Sequence, residues 1–134
     1  MIEGTTMKGV SITDQNIERG CLAFDLIDLV KLMQSKAEQS RWTVRRLECT
    51  GKTAEDLYRI SDCGTVITGQ VFRRLVEGLD QVIDGTFEGF LNEETNPWVR
   101  ITAVDSSAFD VESSDESLLD RLKTRFKSVV DLPS

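Results

Sequence analysis

The chain has 134 residues, of which 40% are hydrophobic and 29% charged, as expected for a globular chain of one domain. Acidic residues outnumber basic residues by 23 to 16, and the resulting net charge of −7 argues against nucleic acid or an anionic membrane as a partner. The sequence contains no apolar run of about 18 residues, so no membrane-spanning helix is predicted.

The first third of the chain is predicted to hold a short strand and a helix. Residues 1–7 are expected to be a flexible end, and residues 8–13 a strand with Val10 and Ile12 facing inward. Asp25 is a suitable helix N-cap, and apolar residues then recur at helical spacing over residues 26–39. A helix is therefore predicted from residue 26 to residue 39.

A strand and two helices are predicted next. Residues 42–49 alternate as a strand does, and Thr50–Gly51 ends it. Thr53 with Asp56 three positions later has the spacing of a capping box, which predicts a helix through Ile60. Thr68 is placed to cap a further helix, in which apolar residues form one stripe up to residue 79.

The segment from 81 to 112 is predicted to be an antiparallel meander. Residues 82–91 and 98–104 alternate between two faces, and the segment 92–97 between them is rich in turn-forming residues. One register pairs Phe90 with Trp98, Glu88 with Arg100 and Thr86 with Thr102 on one face, and it sets Phe87 opposite Ile101 on the other. A slip by one residue loses all three pairs, so this register is expected. A turn at 105–107 then sets a third strand beside the second.

The last element is predicted to be a helix that starts at a capping box formed by Ser113 and Glu116. Its buried stripe is expected to run from Leu118 to Val130. Together these elements predict a single α+β domain over residues 1–134, with an antiparallel sheet centred on 81–112 and about three helices on one face.

No motif for nucleotide binding, metal binding or catalysis is complete. Gly51-Lys52-Thr53 resembles the end of a P-loop, but Arg46 stands where that loop needs a glycine. A calcium loop starting at Asp110 would need glycine where Asp115 stands. The chain has no histidine, which excludes Ser–His and Cys–His catalysis. We therefore expect no catalytic residues, no metal and no cofactor.

The negative charge is concentrated in residues 77–120, which contain twelve acidic residues and one base, Arg100. A charged sheet face with two large aromatic residues favours a non-catalytic, acidic protein-binding module. Its partner is expected to be a basic protein, and an inhibitor or immunity-type protein is one such class. The predicted protein-binding residues are Asp84, Glu88, Phe90, Trp98 and Arg100. For Phe90 and Trp98, burial beneath a loop or the N-terminal strand is the competing interpretation.

A small-ligand or enzyme-like domain is the alternative function. Its pocket would be lined by the basic segment 41–59, with Arg45, Arg46 and Lys52 facing an anionic ligand. The pattern also leaves self-association into a homo-oligomer open. Three widely spaced cysteines, together with an N-terminus unlike a secretory signal, predict a cytoplasmic protein.

Overall fold

A seven-stranded antiparallel sheet with helices packed on one side forms the framework of the protein. The computed structural model describes residues 7–16, 18 and 20–133. The predicted flexible end therefore lies outside the described residues, apart from Met7. In the sheet the strands lie in the order β5-β4-β6-β7-β8-β1-β9, and β2 and β3 form a separate ribbon. The strands are β1 (Lys8–Ile12), β2 (Gln15–Asn16), β3 (Cys21–Leu22), β4 (Arg41–Gly51), β5 (Ile67–Thr68), β6 (Leu79–Phe90), β7 (Val99–Val104), β8 (Ala108–Ser113) and β9 (Val129–Asp131).

Five helices are present in the described residues, so the predicted α+β class with an antiparallel sheet is confirmed. They are α1 (Leu26–Leu32), α2 (Ser35–Gln39), α3 (Ala54–Cys63), α4 (Gly69–Glu77) and α5 (Glu116–Arg125). No described helix is long and apolar enough to cross a membrane.

The predicted register of the meander is confirmed. Glu88 pairs with Arg100, Thr86 with Thr102, and Phe87 with Ile101. In the next ladder, Ile101 pairs with Val111. An acid meets a base, a threonine a threonine and an apolar residue an apolar residue across the strands, and such pairs specify the alignment. The ladder ends at Gly89 and Val99, so the predicted pairing of Phe90 with Trp98 is not part of it.

One side of the sheet and the helices enclose the hydrophobic core. Trp42 stacks on Phe72 of α4, with ring centroids 4.2 Å apart. The ring centroid of Phe87, on the neighbouring strand, lies 6.1 Å from that of Phe72. At the start of α4, Gly69 lies so close to α2 that a Cβ would stand 2.3 Å from the carbonyl oxygen of Ala37. Any side chain at residue 69 would therefore force the two helices apart.

Irregular pairing between β4 and β6 changes which side chains face the core. The ladder shifts between Arg45 and Glu48 and again between Glu48 and Cys49, and Arg46 has a φ of 54°. Beyond these shifts Val82 is buried beside Cys49, although simple alternation from Phe87 predicts that Val82 faces solvent.

Several helix ends differ from the prediction. The helix predicted over residues 26–39 is divided in two, because Gln34 adopts a left-handed φ of 58° between α1 and α2. Thr53 makes no capping bond to its helix and instead donates a hydrogen bond to the carbonyl of Leu75. Val129 belongs to β9 and pairs with Ile12 of β1. It does not continue the last helix, which ends at Arg125.

The N-cap of α5 is Asp115, not Ser113 as predicted. The Asp115 carboxylate accepts a hydrogen bond from the N–H of Ser117, while the Ser113 hydroxyl donates to the carbonyl of Trp98. Burial acts to raise the pKa of Asp115. Hydrogen bonds from Ser117 and Lys36, together with the Lys36 charge, outweigh that effect and lower the pKa from 3.8 to about 2.

Candidate functional site

The sheet face opposite the helices carries a row of alternating charges. We name this face the open sheet face and define it by Arg45, Glu88, Arg100 and Glu112. Glu88 accepts hydrogen bonds of 2.8 Å from both Arg45 and Arg100, and Arg100 also contacts Glu112 at 3.5 Å. Glu88 is 8% exposed, although its neighbours in the row are half-buried or exposed. The predicted site residues Glu88 and Arg100 are thus in direct contact and neutralise each other.

Trp98 does not lie on the open sheet face, and of the two interpretations of this residue the structure agrees with burial. Trp98 is 5% exposed, and its indole N–H donates a 2.8 Å hydrogen bond to the hydroxyl of Ser40. The ammonium of Lys36 stands 4.3 Å from the ring centroid. Trp98 precedes β7 and is covered by the C-terminal end of α2, so it is a core residue. The covering element is a helix end, whereas the sequence suggested a loop or the N-terminal strand.

The other two predicted binding residues lie in different surroundings on β6. Phe90 is half-buried at one end, with the Arg41 guanidinium 5.8 Å from its ring. Asp84 is in the middle of the strand, and its carboxylate accepts a 2.8 Å hydrogen bond from the N–H of Asp105 in the β7–β8 turn. The five predicted residues therefore do not form one exposed patch.

The basic residues of the alternative pocket have separate surroundings. Arg45 belongs to the charge row, and Lys52 is exposed in the turn before α3. Arg46 lines an open cavity of about 430 Å³ whose lining also includes Asp84. The only base lining that cavity is thus accompanied by an acid, which does not favour an anionic ligand there.

A different cavity at the end of the sheet combines acids with aromatic rings. It has a volume of about 360 Å³ and lies between the start of α1, the start of β6 and the β7–β8 turn. We name it the acidic cavity. Among the described residues, three carboxylates and no basic side chain line it. Its lining residues are Leu22, Ala23, Phe24, Asp25, Asp28, Asp80, Gln81, Val82, Ser106 and Phe109.

Local structure fixes the carboxylates of Asp25 and Asp28. Asp25 is the N-cap of α1 and accepts a 2.8 Å hydrogen bond from the N–H of Leu26. Asp28 accepts a 2.9 Å hydrogen bond from the N–H of Asp25, which completes a capping box. The sequence predicted this cap, but it did not predict that the cap forms the wall of a cavity.

The pKa of Asp25 is raised, first because its carboxyl group is buried and additionally because the Asp28 charge lies nearby. Backbone hydrogen bonds from Leu26 and Val82 oppose the rise without cancelling it. Within the described part of the chain, none of the three cavity carboxylates takes part in an ion pair. A carboxylate that is desolvated and without a cationic partner gains free energy when a cation approaches.

The cavity offers hydrogen-bond acceptors and apolar surface. Among the described residues, no group of three or more Asp, Glu, His or Cys side chains has an arrangement that could hold a metal ion. The amide of Gln81 donates a 3.1 Å hydrogen bond to the Ser106 hydroxyl, which orients this part of the rim. Carboxylate acceptors beside apolar and aromatic lining residues are chemically able to accept an organic cation.

Sequence reasoning missed this cavity because its carboxylates come from two distant segments. Asp80 belongs to the acidic segment 77–120, whereas Asp25 and Asp28 cap a helix more than fifty residues earlier. The one available signal was a pair of acids at a helix start, which also has an ordinary capping explanation.

Comparisons of the chain with models of protein families, with curated proteins and with solved structures find no match.

Proposed function

We propose that the protein is a non-catalytic binding module for a basic protein, and that the acidic cavity accepts a cationic side chain of that partner. The observation that carries the proposal is a concave site whose described lining residues include three carboxylates and no base. An inhibitor or immunity-type protein for a basic enzyme is one form that such a module takes. The proposed setting is the cytoplasm, where the thiols of Cys49 and Cys63, both free in this structure, would stay reduced.

Electrostatics supports a cation as the ligand. Two opposite charges 4 Å apart attract each other by about 4 kcal/mol at an effective dielectric constant of 20. Water already solvates the exposed Asp80, whereas Asp25 has lost part of its solvation to burial. A cation placed near Asp25 therefore gains more than one on the surface, and it also relieves the repulsion between Asp25 and Asp28.

The structure favours the acidic cavity over the open sheet face as the binding site. On the open sheet face, Glu88 and Arg100 satisfy each other within the chain, so a partner must compete with bonds of 2.8 Å. In the described part of the chain, no cation is paired with the cavity carboxylates. A partner protein would therefore obtain more attraction at the end of the sheet than over its centre.

A basic peptide tests the proposal. We expect a six-residue peptide of alternating arginine and lysine to shift the NMR signals of the Gln81 side-chain amide and of the Ser106 backbone amide. The double variant Asp25→Asn/Asp80→Asn should weaken its binding at least tenfold, since two of the three charges are lost. Asparagine is as good an N-cap as aspartate, so α1 should persist, and its amide signals verify this.

The matched control is Glu93→Gln/Glu94→Gln. It makes the same change in net charge in the exposed loop after β6. We expect it to change the affinity by less than about threefold, because exposed charges at a distance are screened by salt. Equal weakening in both double variants would show attraction to net charge alone and would overturn the proposal, as would the absence of shifts at Gln81 and Ser106.

A further inference from the structure

The charge row of the open sheet face has opposite signs at its two ends. In the strand order β4-β6-β7-β8, its charges are positive, negative, positive and negative. Arg45 lies opposite Thr86, but its guanidinium reaches Glu88 at 2.8 Å and therefore belongs to the row. The side chains of the end members, Arg45 and Glu112, are 54% and 36% exposed, whereas Glu88 and Arg100 satisfy each other in the middle. The ends are the members that can still take a charged partner.

A row in this order is complementary to itself when it is reversed. Consider a two-fold axis that runs parallel to the strands between β6 and β7 and lays a second copy over the open sheet face. Arg45 then faces Glu112 of the second copy, and Glu88 faces Arg100 of the second copy. Every charge of the row therefore meets its opposite. Sheets packed face to face stand about 10 Å apart, a gap that arginine and glutamate side chains span from both sides.

An exposed valine and a recess lie next to the same axis. Val104, at the end of β7, is 40% exposed and points to the open sheet face, because Ala103 before it is buried in the core. The open cavity of about 430 Å³ beside it is lined by Asp84 and Thr86 of β6. The axis carries Val104 of each copy over β6 of the other copy, where this cavity lies. Each copy thus offers an apolar side chain to the recess of the other.

We infer that the open sheet face binds the same face of a second copy and forms a two-fold symmetric dimer. Charge complementarity selects this occupant, since a uniformly basic or acidic partner would meet two like charges in the row, whereas a second copy presents the matching order. Each copy has a net charge of −7, but salt screens that repulsion beyond about 8 Å. The inference is independent of the proposed function, because the lining of the acidic cavity includes the core residues Val82 and Phe109 and not the charge row.

Sedimentation velocity of the full chain measures the dimer directly. At physiological ionic strength, we expect the average mass to rise from that of one chain towards that of two as the concentration increases. The expected dissociation constant is below about 100 µM, as for a modest interface between copies. A chain that stays monomeric up to about tenfold above that concentration would overturn the inference.

Two charge reversals test which residues face each other. In Arg45→Glu, an acid faces Glu112 of the second copy, and in Glu112→Arg, a base faces Arg45 of the second copy. Each variant alone should dimerise at least tenfold more weakly than the original chain. An equimolar mixture of the two variants restores opposite charges at both ends of the row, so a mixed dimer should form within about threefold of the original affinity. Amide NMR spectra of each variant verify the fold, and a loss that the mixture does not recover would overturn the inference.

Val104→Lys and Val130→Lys form a second, matched pair. Val130 is 64% exposed and pairs with Ser11 in the edge strand β9, three strands beyond β7 and outside the area that the second copy covers. Both variants add the same charge, but only Val104 lies next to the axis. We expect Val104→Lys to weaken the dimer at least tenfold and Val130→Lys by less than about threefold. Equal weakening in both, or an unchanged dimer in Val104→Lys, would overturn the inference.

Discussion

Replacement of Glu88 by glutamine tests the charge row of the open sheet face. The Glu88 side chain is 11% exposed, whereas those of Arg100 and Arg45 are 33% and 54% exposed. In Glu88→Gln, the amide oxygen can accept from one arginine, while the amide nitrogen faces the other guanidinium as a second donor. A hydrogen bond to a charged group contributes roughly 1.5–3 kcal/mol and a neutral one about 1 kcal/mol. The exposure of Arg45 reduces its share to well under 1 kcal/mol.

We therefore expect Glu88→Gln to lower the free energy of unfolding by about 2 kcal/mol. Urea unfolding followed by tryptophan fluorescence measures this change, and double-mutant cycles with Arg100→Met and Arg45→Met divide it between the two partners. The coupling of Glu88 to Arg100 should exceed its coupling to Arg45, since Arg100 is less exposed. Glu93→Gln, in an exposed loop, should change stability by less than about 0.5 kcal/mol. A loss below about 0.5 kcal/mol in Glu88→Gln, or a larger coupling to Arg45, would refute the reasoning.

Three further predictions concern residues outside the charge row. Trp98→Phe removes the buried indole donor of the hydrogen bond to Ser40. A double-mutant cycle with Ser40→Ala, measured by urea unfolding, should give a coupling energy of about 1 kcal/mol, and a coupling near zero would contradict this hydrogen bond. Asp105→Asn combined with Ser106→Gly should stabilise the fold by about 1 kcal/mol, because both residues have left-handed φ angles, 48° and 57°, that suit Asn-Gly. The lowered pKa of Asp115 means that its stabilisation is complete above pH 4 and is lost as the pH falls towards 2. Asp115→Asn should remove about 1–2 kcal/mol of that pH dependence, measured as unfolding free energy between pH 5 and 2.

The meander was predictable because its signals are local. Glu88, Thr86 and Phe87 each find a chemically matched partner within twenty residues, and alternation fixes which face each one occupies. The strand at Lys8–Ile12 was recognisable for the same reason, from Val10 and Ile12. In the sheet, β1 lies between β8 and β9, which are far from it in sequence. This position follows from tertiary packing, which the local pattern does not contain.

The errors occur where a local pattern is overridden by backbone geometry or distant contacts. Val129 and Val130 continue a helical period, but the segment 129–131 pairs with β1 and adds an edge strand. Gln34 has no helix-breaking side chain, yet its positive φ ends α1. Trp98 lies just before β7, so its ring follows the turn toward α2 instead of the strand alternation.

The distribution of charge explains why the acidic segment of the sequence did not point to the cavity that we propose as the binding site. Of the acids in residues 77–120, Glu88 and Glu112 contact Arg100, and Asp115 contacts Lys36, so their charges are already neutralised within the fold. Asp80 instead joins two acids from outside the segment in a cavity that is lined by no basic side chain among the described residues. The proposed partner would therefore meet acids at this end of the sheet that no described cation neutralises. Under the proposal, binding depends on which acids are removed, and not on how many.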